Sequence, residues 1–397
     1  MNKILLDVIL TDFRLERPKY ELTQTYTHEW MAEAHAMSAS QQNKGRMNQS
    51  KFLDQISPLI QRYGCGSSHI EKRGSELTDF THLAWDKMRI FNLERNPQGQ
   101  GMKERMRLYD EAVDRIFEKF YPQNHKEPPN DLIHVTCTGY VSPSGAQKIV
   151  ARRNWNQKTT VSHAYHMGCY AVMPALRMAS GFLASSILSN GKKSVQKHRV
   201  DLAHTELCTL HFNPSLHTPE QLVVQSLFAD GFICYSAFSV ENPPSRETKG
   251  LKILGVREEI LPDSLEAMTW ITSDWGMEMT LSREVPKLIG DSVLRFINSM
   301  CAQAGLDFRN EEKNAVFAVH PGGPKIIDQI QEILELEAWQ LEASRQILFE
   351  YGNMSSATLP HVWQRILENT SVPSETLVVS LAFGPGLSIC GSLLRKI

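Results

Sequence analysis

The sequence predicts an α/β protein whose layered core is built from two similar halves. Of its 397 residues, 42% are hydrophobic, which is enough for a large core or for two fused domain-sized units. After about residue 130, short β-rich runs alternate with helix-like stretches, which is typical of α/β layered folds. Two separated segments also share one local pattern, which indicates an internal repeat.

The region 20–125 is predicted to be mainly helical and polar. Three of its runs place apolar residues three and four positions apart: TYTHEWMAEAHAMSAS, KFLDQISPLIQRY and MKERMRLYDEAVDRIFEKFY. The turn-rich stretches NPQGQG (96–101) and PQNHKEPPND (122–131) interrupt the pattern. We interpret this region as a helical extension of the first half.

Beyond the second break, the β-rich runs are LIHVTCTG, TTVSHAYHMG, HRVDLAHTEL and GFICYSAFSV. The first of them opens LIHVTCTGYVSPSGAQKIV, a strand, a Gly/Pro turn and a helix, and AVFAVHPGGPKIIDQIQEIL repeats that order. The repeat predicts an N-terminal half, 1–250, and a C-terminal half, 251–397. Chance similarity between generic α/β units is the alternative.

The repeat also pairs candidate functional residues. Superposing Gly139 on Gly322 places Cys137 opposite His320. Cys169 lies 32 residues after Cys137, and Asn353 lies 33 residues after His320. Each of these second residues follows a glycine at a predicted helix start. The two halves are therefore expected to deliver side chains from matching corners.

Charge and cysteine usage restrict the partners and the compartment. Lys and Arg number 42 against 44 Asp and Glu, so no global field attracts nucleic acid or an anionic membrane. No stretch is expected to reach the apolar length of a membrane span, and we expect neither a nucleic-acid nor a membrane partner. The seven cysteines are odd in number and lie mostly in apolar segments, which favours reduced thiols in a cytoplasmic protein.

Cys169 is the candidate nucleophile. It opens the apolar run CYAVMPALRMASGFL, so the positive end of a helix dipole is expected to favour its thiolate. A buried inert cysteine is the alternative. His163, His166 and Cys169 are also spaced like metal ligands, but no second ligand cluster appears, and we expect no bound metal.

His320 and Asn353 are the candidate partners of this thiol. His320 ends an apolar strand before the turn PGGP, which lacks the Lys-Ser/Thr ending of a nucleotide-binding loop. Asn353 lies in EYGNMSSATLP. A hydrogen-bonded core histidine and a simple helix cap are the alternatives. A thiol, an imidazole and an amide together can carry an acyl group and donate hydrogen bonds to an enolate.

Six strings, in order, resemble the type III polyketide synthase family, the chalcone-synthase-like branch of the thiolase-fold condensing enzymes: TGYVSP, HMGCYA, LFADG, VHPGGPKIID, EYGNMSSATL and FGPGLS. They cover roughly residues 130–397. The resemblance implies a five-layer αβαβα fold with two pseudo-equivalent halves, and a homodimer. It places Cys169 as the acyl-carrying nucleophile, with His320 and Asn353 as its partners. We expect no cofactor.

The resemblance also implies roles for substrate-binding residues. Phe228 falls where the family has a gatekeeping Phe between the CoA tunnel and the cavity, and Met279 replaces a second one. Cys208 and His211 hold positions that shape the cavity. Ser142 lies on a segment that, in the family, reaches toward the partner subunit's cavity. Arg62 falls in the CoA-binding basic cluster, but Gly66 stands where that cluster is expected to have a Lys.

The implied activity is a Claisen-type condensation of acyl thioesters through a Cys-bound intermediate, giving a polyketide that cyclises to an α-pyrone or a resorcinol. The donor is acyl-CoA or an acyl carrier protein thioester. A chain-joining ketosynthase that condenses two carrier-bound β-ketoacyl chains into an α-pyrone is the alternative. A thiolase or an acyl hydrolase is a more distant alternative. A thiolase usually needs a second catalytic cysteine, and Cys390 lies in an apolar run typical of the core. A nucleophile-elbow hydrolase needs a G-x-S-x-G string, which is absent.

Overall fold

The computed structural model describes residues 7–43, 47–125, 127–190, 198–240, 243, 245 and 248–397. The strands are β1 (Val8–Glu16), β2 (Tyr20–Thr23), β3 (Lys72–Ser75), β4 (Asp131–Thr136), β5 (Thr160–Tyr165), β6 (Val200–Leu207), β7 (Asp230–Ser239), β8 (Leu251–Ile260), β9 (Met268–Ser273), β10 (Gly276–Leu281), β11 (Val316–Val319), β12 (Leu377–Gly384) and β13 (Ser388–Lys396).

The helices are α1 (Gln24–Gln42), α2 (Gln49–Tyr63), α3 (Met102–Phe120), α4 (Gly145–Arg152), α5 (Val172–Asn190), α6 (Pro219–Leu227), α7 (Val285–Ala304), α8 (Phe308–Glu311), α9 (Pro324–Ile333), α10 (Glu342–Tyr351) and α11 (Thr358–Glu368). Their starts follow local chemistry. Thr23, Asn48 and Thr218 accept hydrogen bonds from first-turn amides, and Ser144 and Gln147 cap α4 reciprocally.

One sheet of nine strands forms the centre, in the order β11-β12-β13-β8-β1-β7-β6-β4-β5. β4 is parallel to β6, which is antiparallel to β7, which is antiparallel to β1. The same sequence of directions relates β11, β12, β13 and β8. The two halves meet where β1 and β8 pair, antiparallel, over Val8–Leu10. The predicted internal repeat is therefore present in the topology.

The helices cover this sheet in layers, because each sheet face must bury its apolar side chains. α5 and α11 share a central core with strands from both halves, through residues such as Leu176, Val362 and Ile233. α1, α3 and α4 pack on the outer face of the first half. α7, α9 and α10 pack on the outer face of the second half. This arrangement confirms the predicted five-layer αβαβα fold.

The N-terminal region differs in part from its prediction. α1, α2 and α3 lie where the helical pattern placed them, but the region also contains the two-stranded sheet of β2 and β3 and a largely irregular stretch at 76–101. The strand β1 was not predicted, although it lies in the middle of the large sheet. The domain boundary at 250/251 stays a prediction, and β8 begins at Leu251. Residues 1–6 of the first half lie outside the described part.

The expectation about membrane spans needs a correction. Within the described residues, the segment Gly168–Leu188 is long and apolar enough to cross a membrane, judged only by length and composition. Core helices of soluble proteins pass the same test, so this is weak evidence for a span. Here Val172, Leu176, Ala179 and Leu183 are packed into the central core between the two halves.

Candidate active site

Cys169 lies in a short 3₁₀ turn, Gly168–Tyr170, between β5 and α5. Gly168 has φ +71°, and a Cβ atom at this position would lie 2.8 Å from Cδ of Pro385. Both the left-handed backbone and the close contact require glycine. The string HMGC therefore packs against the turn FGPG of the second half, and this contact fixes where the thiol points.

Cys169 is buried, and burial raises the pKa of its thiol to about 12. Hydrogen bonds from Ser355 and Asn353 lower this pKa, and the charge of Glu206 raises it. The predicted thiolate is therefore wrong for the resting protein. Cys169 precedes α5 rather than occupying its first turn, and the loss of hydration outweighs the dipole.

His320 follows β11 and is 2% exposed. Its backbone N–H donates to the carbonyl of Leu381 at 2.8 Å, which continues the pairing with β12. Among the described residues, neither Nδ1 nor Nε2 of its ring has a hydrogen-bond partner. Burial lowers the pKa of the imidazole to about 3. The imidazole of His320 and the thiol of Cys169 are thus both neutral in the resting protein.

Asn353 presents its side-chain amide beside Cys169. Its Oδ1 accepts a hydrogen bond from the N–H of Ser355 at 2.9 Å, which fixes the orientation of the amide. Its Nδ2 lies 3.4 Å from the carbonyl of Gly322, and the amide also hydrogen-bonds to the thiol of Cys169. A Cβ added to Gly322 would lie 3.7 Å from the His320 ring, so this glycine separates the amide from the imidazole.

A cavity with about 1000 Å³ of empty space, counted with its open mouth, lies in front of Cys169. Its wall includes four other predicted site residues: Phe228, Met279, Cys208 and His211. His320 and Asn353 are almost completely buried and are not part of that wall. Five of the nine predicted residues, with Cys169 among them, therefore line one cavity, and Asn353 lies within hydrogen-bonding range of the Cys169 thiol. His320 lies beside Gly322, whose carbonyl contacts the Asn353 amide.

Two predicted substrate-binding residues, Ser142 and Arg62, lie apart from this site. Ser142 is exposed in the turn after β4, and Arg62 is exposed at the end of α2. Neither lines the cavity formed by this single chain. The two histidines considered as metal ligands, His163 and His166, are exposed on either side of Tyr165. No group of three ligating side chains suited to a metal occurs within the described residues.

His211 is held rigidly in the cavity wall. Its Nε2–H donates to the carbonyl of Thr138 at 2.8 Å, and its Nδ1 accepts from the N–H of Met277 at 3.1 Å. Both ring nitrogens are occupied, and burial lowers the pKa of this imidazole to about 3. His211 therefore joins three segments of the wall and has no free nitrogen for proton transfer.

Sequence reasoning missed Ser355 and the position of Cys137. The Oγ of Ser355 lies 3.0 Å from Sγ of Cys137 and 3.7 Å from Sγ of Cys169. Cys137 and Ser355 both line the cavity. The spacing that paired Cys137 with His320 was the available signal, and Ser355 stands two residues after Asn353.

Glu206 was also missed. This fully buried carboxylate accepts hydrogen bonds from the hydroxyls of Thr138 and Ser356 and from the N–H of Cys137. Burial raises its pKa, and these donors lower it. Because Cys137 belongs to the first half and Ser356 to the second, Glu206 joins the two corners behind Cys169.

Trp270 fills part of the cavity. Its indole Nε1–H donates to the carbonyl of Cys137 at 2.8 Å, and its ring stands at 88° to that of His211. Met268, Met277 and Met279 line the same region. A large ring held by a hydrogen bond restricts the volume in front of the thiol. No local pattern marked Trp270, since its position depends on the hairpin of β9 and β10 reaching the cavity.

Residues 252–397 match the family model "Chalcone and stilbene synthases, C-terminal domain". The chain is 31% identical over 312 residues to type III polyketide synthase B of Arabidopsis thaliana, across 75% of this chain and 77% of that protein. It is 29% identical over 270 residues to type III polyketide synthase C of the same plant, across 67% of each chain. It is 28% identical over 268 residues to probable polyketide synthase 1 of Dictyostelium discoideum, across 67% of this chain but only 8% of that protein.

Two solved structures are similar in fold. The C-terminal type III polyketide synthase domain of Steely1, a type I/III hybrid from Dictyostelium, superposes with a TM-score of 0.79 at 20% identity, across 98% of this chain and 99% of that domain. PKS-I from the brown alga Ectocarpus siliculosus superposes with a TM-score of 0.81 at 19% identity, across the full length of both chains. At these identities the superpositions establish the fold.

Proposed function

Because this chain belongs to the type III polyketide synthase family, we propose that it is a ketosynthase that joins acyl thioesters by Claisen-type condensation through an acyl group on Cys169. The observation that carries the proposal is the pair of donors that the second half brings toward this thiol. Asn353 hydrogen-bonds to Cys169, and its Nδ2 makes only a long 3.4 Å contact to the carbonyl of Gly322. Among the described residues, both ring nitrogens of the buried His320, on the other side of Gly322, lack a hydrogen-bond partner, and a catalytic role is one explanation for such groups.

In the first step, Cys169 attacks the carbonyl carbon of a starter thioester. His320 takes the proton of the thiol as the C–S bond forms, and it returns this proton to the departing thiolate. The neutral form of both groups suits this transfer, since a neutral imidazole can accept a proton whereas an imidazolium cannot.

In the second step, a malonyl-type thioester loses carbon dioxide, and its electrons move onto the thioester oxygen as an enolate. Donors from His320 and Asn353 stabilise this oxygen, and each such donor is typically worth about 3 kcal/mol in barrier height. The enolate carbon then attacks the acyl group on Cys169, forming a carbon–carbon bond and releasing the thiolate. Asn353 suits this task because an amide donates without titrating.

We further propose that the chain releases a cyclised α-pyrone or resorcinol. Trp270 and Met279 in the cavity wall restrict how a growing chain can lie in front of Cys169. A chain-joining ketosynthase acting on two carrier-bound β-ketoacyl groups is the second candidate. It is favoured by Met279 at a position where a Phe is common, and by the loss of basic residues near the end of α2, where Arg62 remains and Gly66 replaces the expected Lys.

A thiolase mechanism is less well supported by the site. Cys390, the candidate second thiol, is completely buried in β13, and burial raises its pKa well above the ordinary value. It is not part of the cavity wall. The cavity therefore offers no position for Cys390 to act as the second catalytic cysteine.

We also propose that two copies associate and that the protein works in the cytoplasm. The resemblance to the family supports the association, and Tyr140, Ile260 and Leu265 are large apolar side chains that the single chain leaves exposed. All seven cysteines are free, which supports a reducing compartment. The mass of the protein in dilute solution, measured by sedimentation, tests the dimer.

One experiment tests the activity and the identity of the donor. The purified protein is incubated with malonyl-CoA and a series of acyl-CoA starters, and in parallel with the same acyl groups on a carrier protein. Mass spectrometry then follows acylated Cys169 and the released products. Products from the CoA series support the polyketide synthase, whereas products from carrier-bound β-ketoacyl pairs alone support the chain-joining reaction. Acylation without any carbon–carbon bond formation would refute both.

A further inference from the structure

The C-terminal end of α6 is completed by residues from distant parts of the chain. A helix leaves its last carbonyls without partners inside the helix. Here the carbonyl of Gln225 accepts from Nη1 of Arg73 at 2.9 Å, and that of Ser226 accepts from Nε2 of Gln24 at 2.8 Å. The carbonyl of Leu227 accepts from the N–H of Asn353 at 2.9 Å.

The next residue, Phe228, is held by the same group. Its carbonyl accepts from Nη1 of Arg73 at 2.6 Å, and its backbone pairs with that of Asn353. The side chain of Phe228 lines the cavity. Every backbone carbonyl from 225 to 228 is therefore bound by Arg73, Gln24 or Asn353. These hydrogen bonds fix the backbone that carries the ring of Phe228 in the cavity wall.

Arg73 is only 5% exposed, and none of the ion pairs among the described residues includes it. The charge of Asp230 nevertheless acts on Arg73 from beyond ion-pair distance. The Nε of Arg73 donates to Oε1 of Gln24 at 2.8 Å. A buried cation is costly unless its charge is balanced, and the negative end of α6 contributes to that balance together with Asp230. Arg73 thus fits the C-terminus of α6 in charge as well as in hydrogen bonding.

α6 also holds the opposite side of the cavity wall. At its N-terminal end, Nε2 of Gln221 donates to the carbonyl of Met279 at 2.7 Å, and the carboxylate of Glu220 accepts from the N–H of Leu281. Phe228 and Met279, the two wall residues predicted to act as gatekeepers, are therefore attached to opposite ends of one helix.

From these contacts we propose that Arg73 is a positioning residue, which fixes α6 and thereby the spacing of Phe228 and Met279 in front of Cys169. The catalytic meaning of this inference rests on the proposed function. The positioning of α6 by Arg73 does not depend on that function. It also assigns a role to the N-terminal region: β3 supplies Arg73 and α1 supplies Gln24, so this region braces the wall of the cavity.

The experiment compares Arg73→Met with Arg73→Lys and with Arg153→Met as a matched control. Arg153 is also largely buried and also donates to a backbone carbonyl, that of Tyr121, but it does not line the cavity. The measured quantity is the rate of alkylation of Cys169 by iodoacetamide and by a bulky dye-linked maleimide. The tryptic peptide 159–177 contains Cys169 as its only cysteine, so mass spectrometry follows this thiol alone.

Arg73→Met leaves two buried carbonyls unpaired, so we expect the rate with the bulky reagent to rise by about tenfold relative to iodoacetamide. Arg73→Lys retains the charge but loses the planar guanidinium that binds two carbonyls at once. We therefore expect a smaller increase in this rate ratio, about threefold. Arg153→Met should leave the ratio unchanged. The proposal is overturned if the ratio in Arg73→Met stays at the wild-type value, or if Arg153→Met changes it equally.

Two further measurements separate this inference from folding and from the proposed activity. Circular dichroism and thermal midpoints show whether each variant is folded. If Arg73→Met does not fold, the alkylation rates of Arg73→Lys provide the test. Amide hydrogen exchange over 225–229 should accelerate in the Arg73 variants alone. The alkylation ratio needs no substrate, so it remains decisive if no thioester is condensed. If condensation occurs, Arg73→Lys should raise the KM of bulky starters more than it lowers kcat.

Discussion

The Sγ atom of Cys169 lies 3.7 Å from the Oγ atom of Ser355, which belongs to the other half of the molecule. The same hydroxyl lies 3.0 Å from Sγ of Cys137. Because β4 and β11 are equivalent strands, the corners that follow them face one another across the centre. The candidate site is therefore a product of the internal repeat, with its nucleophile from one half and its donors from the other.

Replacing Cys169 with Ala should abolish the acyl adduct that forms on incubation with a starter thioester, because no other thiol is expected to accept the group. Intact-mass spectrometry measures the adduct. Cys301→Ala is the control, since Cys301 is buried in α7 and not part of the cavity wall. An adduct of unchanged stoichiometry in Cys169→Ala would disprove the assignment of the nucleophile.

Replacing Asn353 with Asp should slow condensation by about 10²–10³-fold, because the carboxylate cannot donate to the enolate and repels it. The variant keeps an oxygen that accepts from the N–H of Ser355. Single-turnover formation of the carbon–carbon bond is the measurement, beginning from enzyme already acylated.

Asn213→Asp is the matched control for that measurement. Asn213 also lines the cavity, and its Oδ1 also accepts from the N–H two residues later, that of Ser215. We expect its condensation rate to fall by less than about tenfold, since a lost donor away from the reacting oxygen costs little. Equal losses in the two variants would remove Asn353 from the proposed mechanism.

The pH dependence of acylation should report the two shifted groups. Burial lowers the pKa of His320 to about 3 and raises that of Cys169 to about 12. The imidazole therefore stays neutral down to acid pH, and the acylation rate should be level from about pH 5 to pH 9 rather than falling below 6.5. Rapid quenching with mass detection gives the rates.

His320→Gln provides the comparison. Without a base, only the small thiolate fraction reacts, and this fraction grows about tenfold for each pH unit below the thiol pKa. The profile of this variant should therefore rise steadily with pH. A wild-type profile with a break near 6.5 would show that His320 titrates as an exposed histidine does.

Replacing Trp270 with Ala should lengthen the products, because it removes the ring that restricts the cavity. Trp270→Phe keeps most of the bulk but loses the hydrogen bond to Cys137, so its product lengths should stay near those of the wild type. Liquid chromatography with mass detection compares the chain lengths. Unchanged lengths in Trp270→Ala would mean that another part of the wall sets the limit.

The sequence predicted the parts of the site that local patterns encode. Cys169 and Asn353 each follow a glycine, His320 precedes the turn PGGP, and the repeated spacing of these turns can be recognised along the chain. Arg73 and Trp270 carry no such mark, because their importance arises from contacts with residues far away in sequence: Phe228 for the former and Cys137 for the latter. The protonation state of Cys169 was also mispredicted, since burial is a tertiary property.

The strand β1 was overlooked for a related reason: its partners are β7 and β8, which lie far along the chain. This placement has a consequence for biosynthesis. The leading strand must wait unpaired until residues 230–260 have left the ribosome, and only then can the sheet close around it. Such distant pairing slows folding and leaves an apolar strand open to aggregation in the interval. Recombinant yield should therefore respond to slower translation or to added chaperones more than to changes at the outer helices.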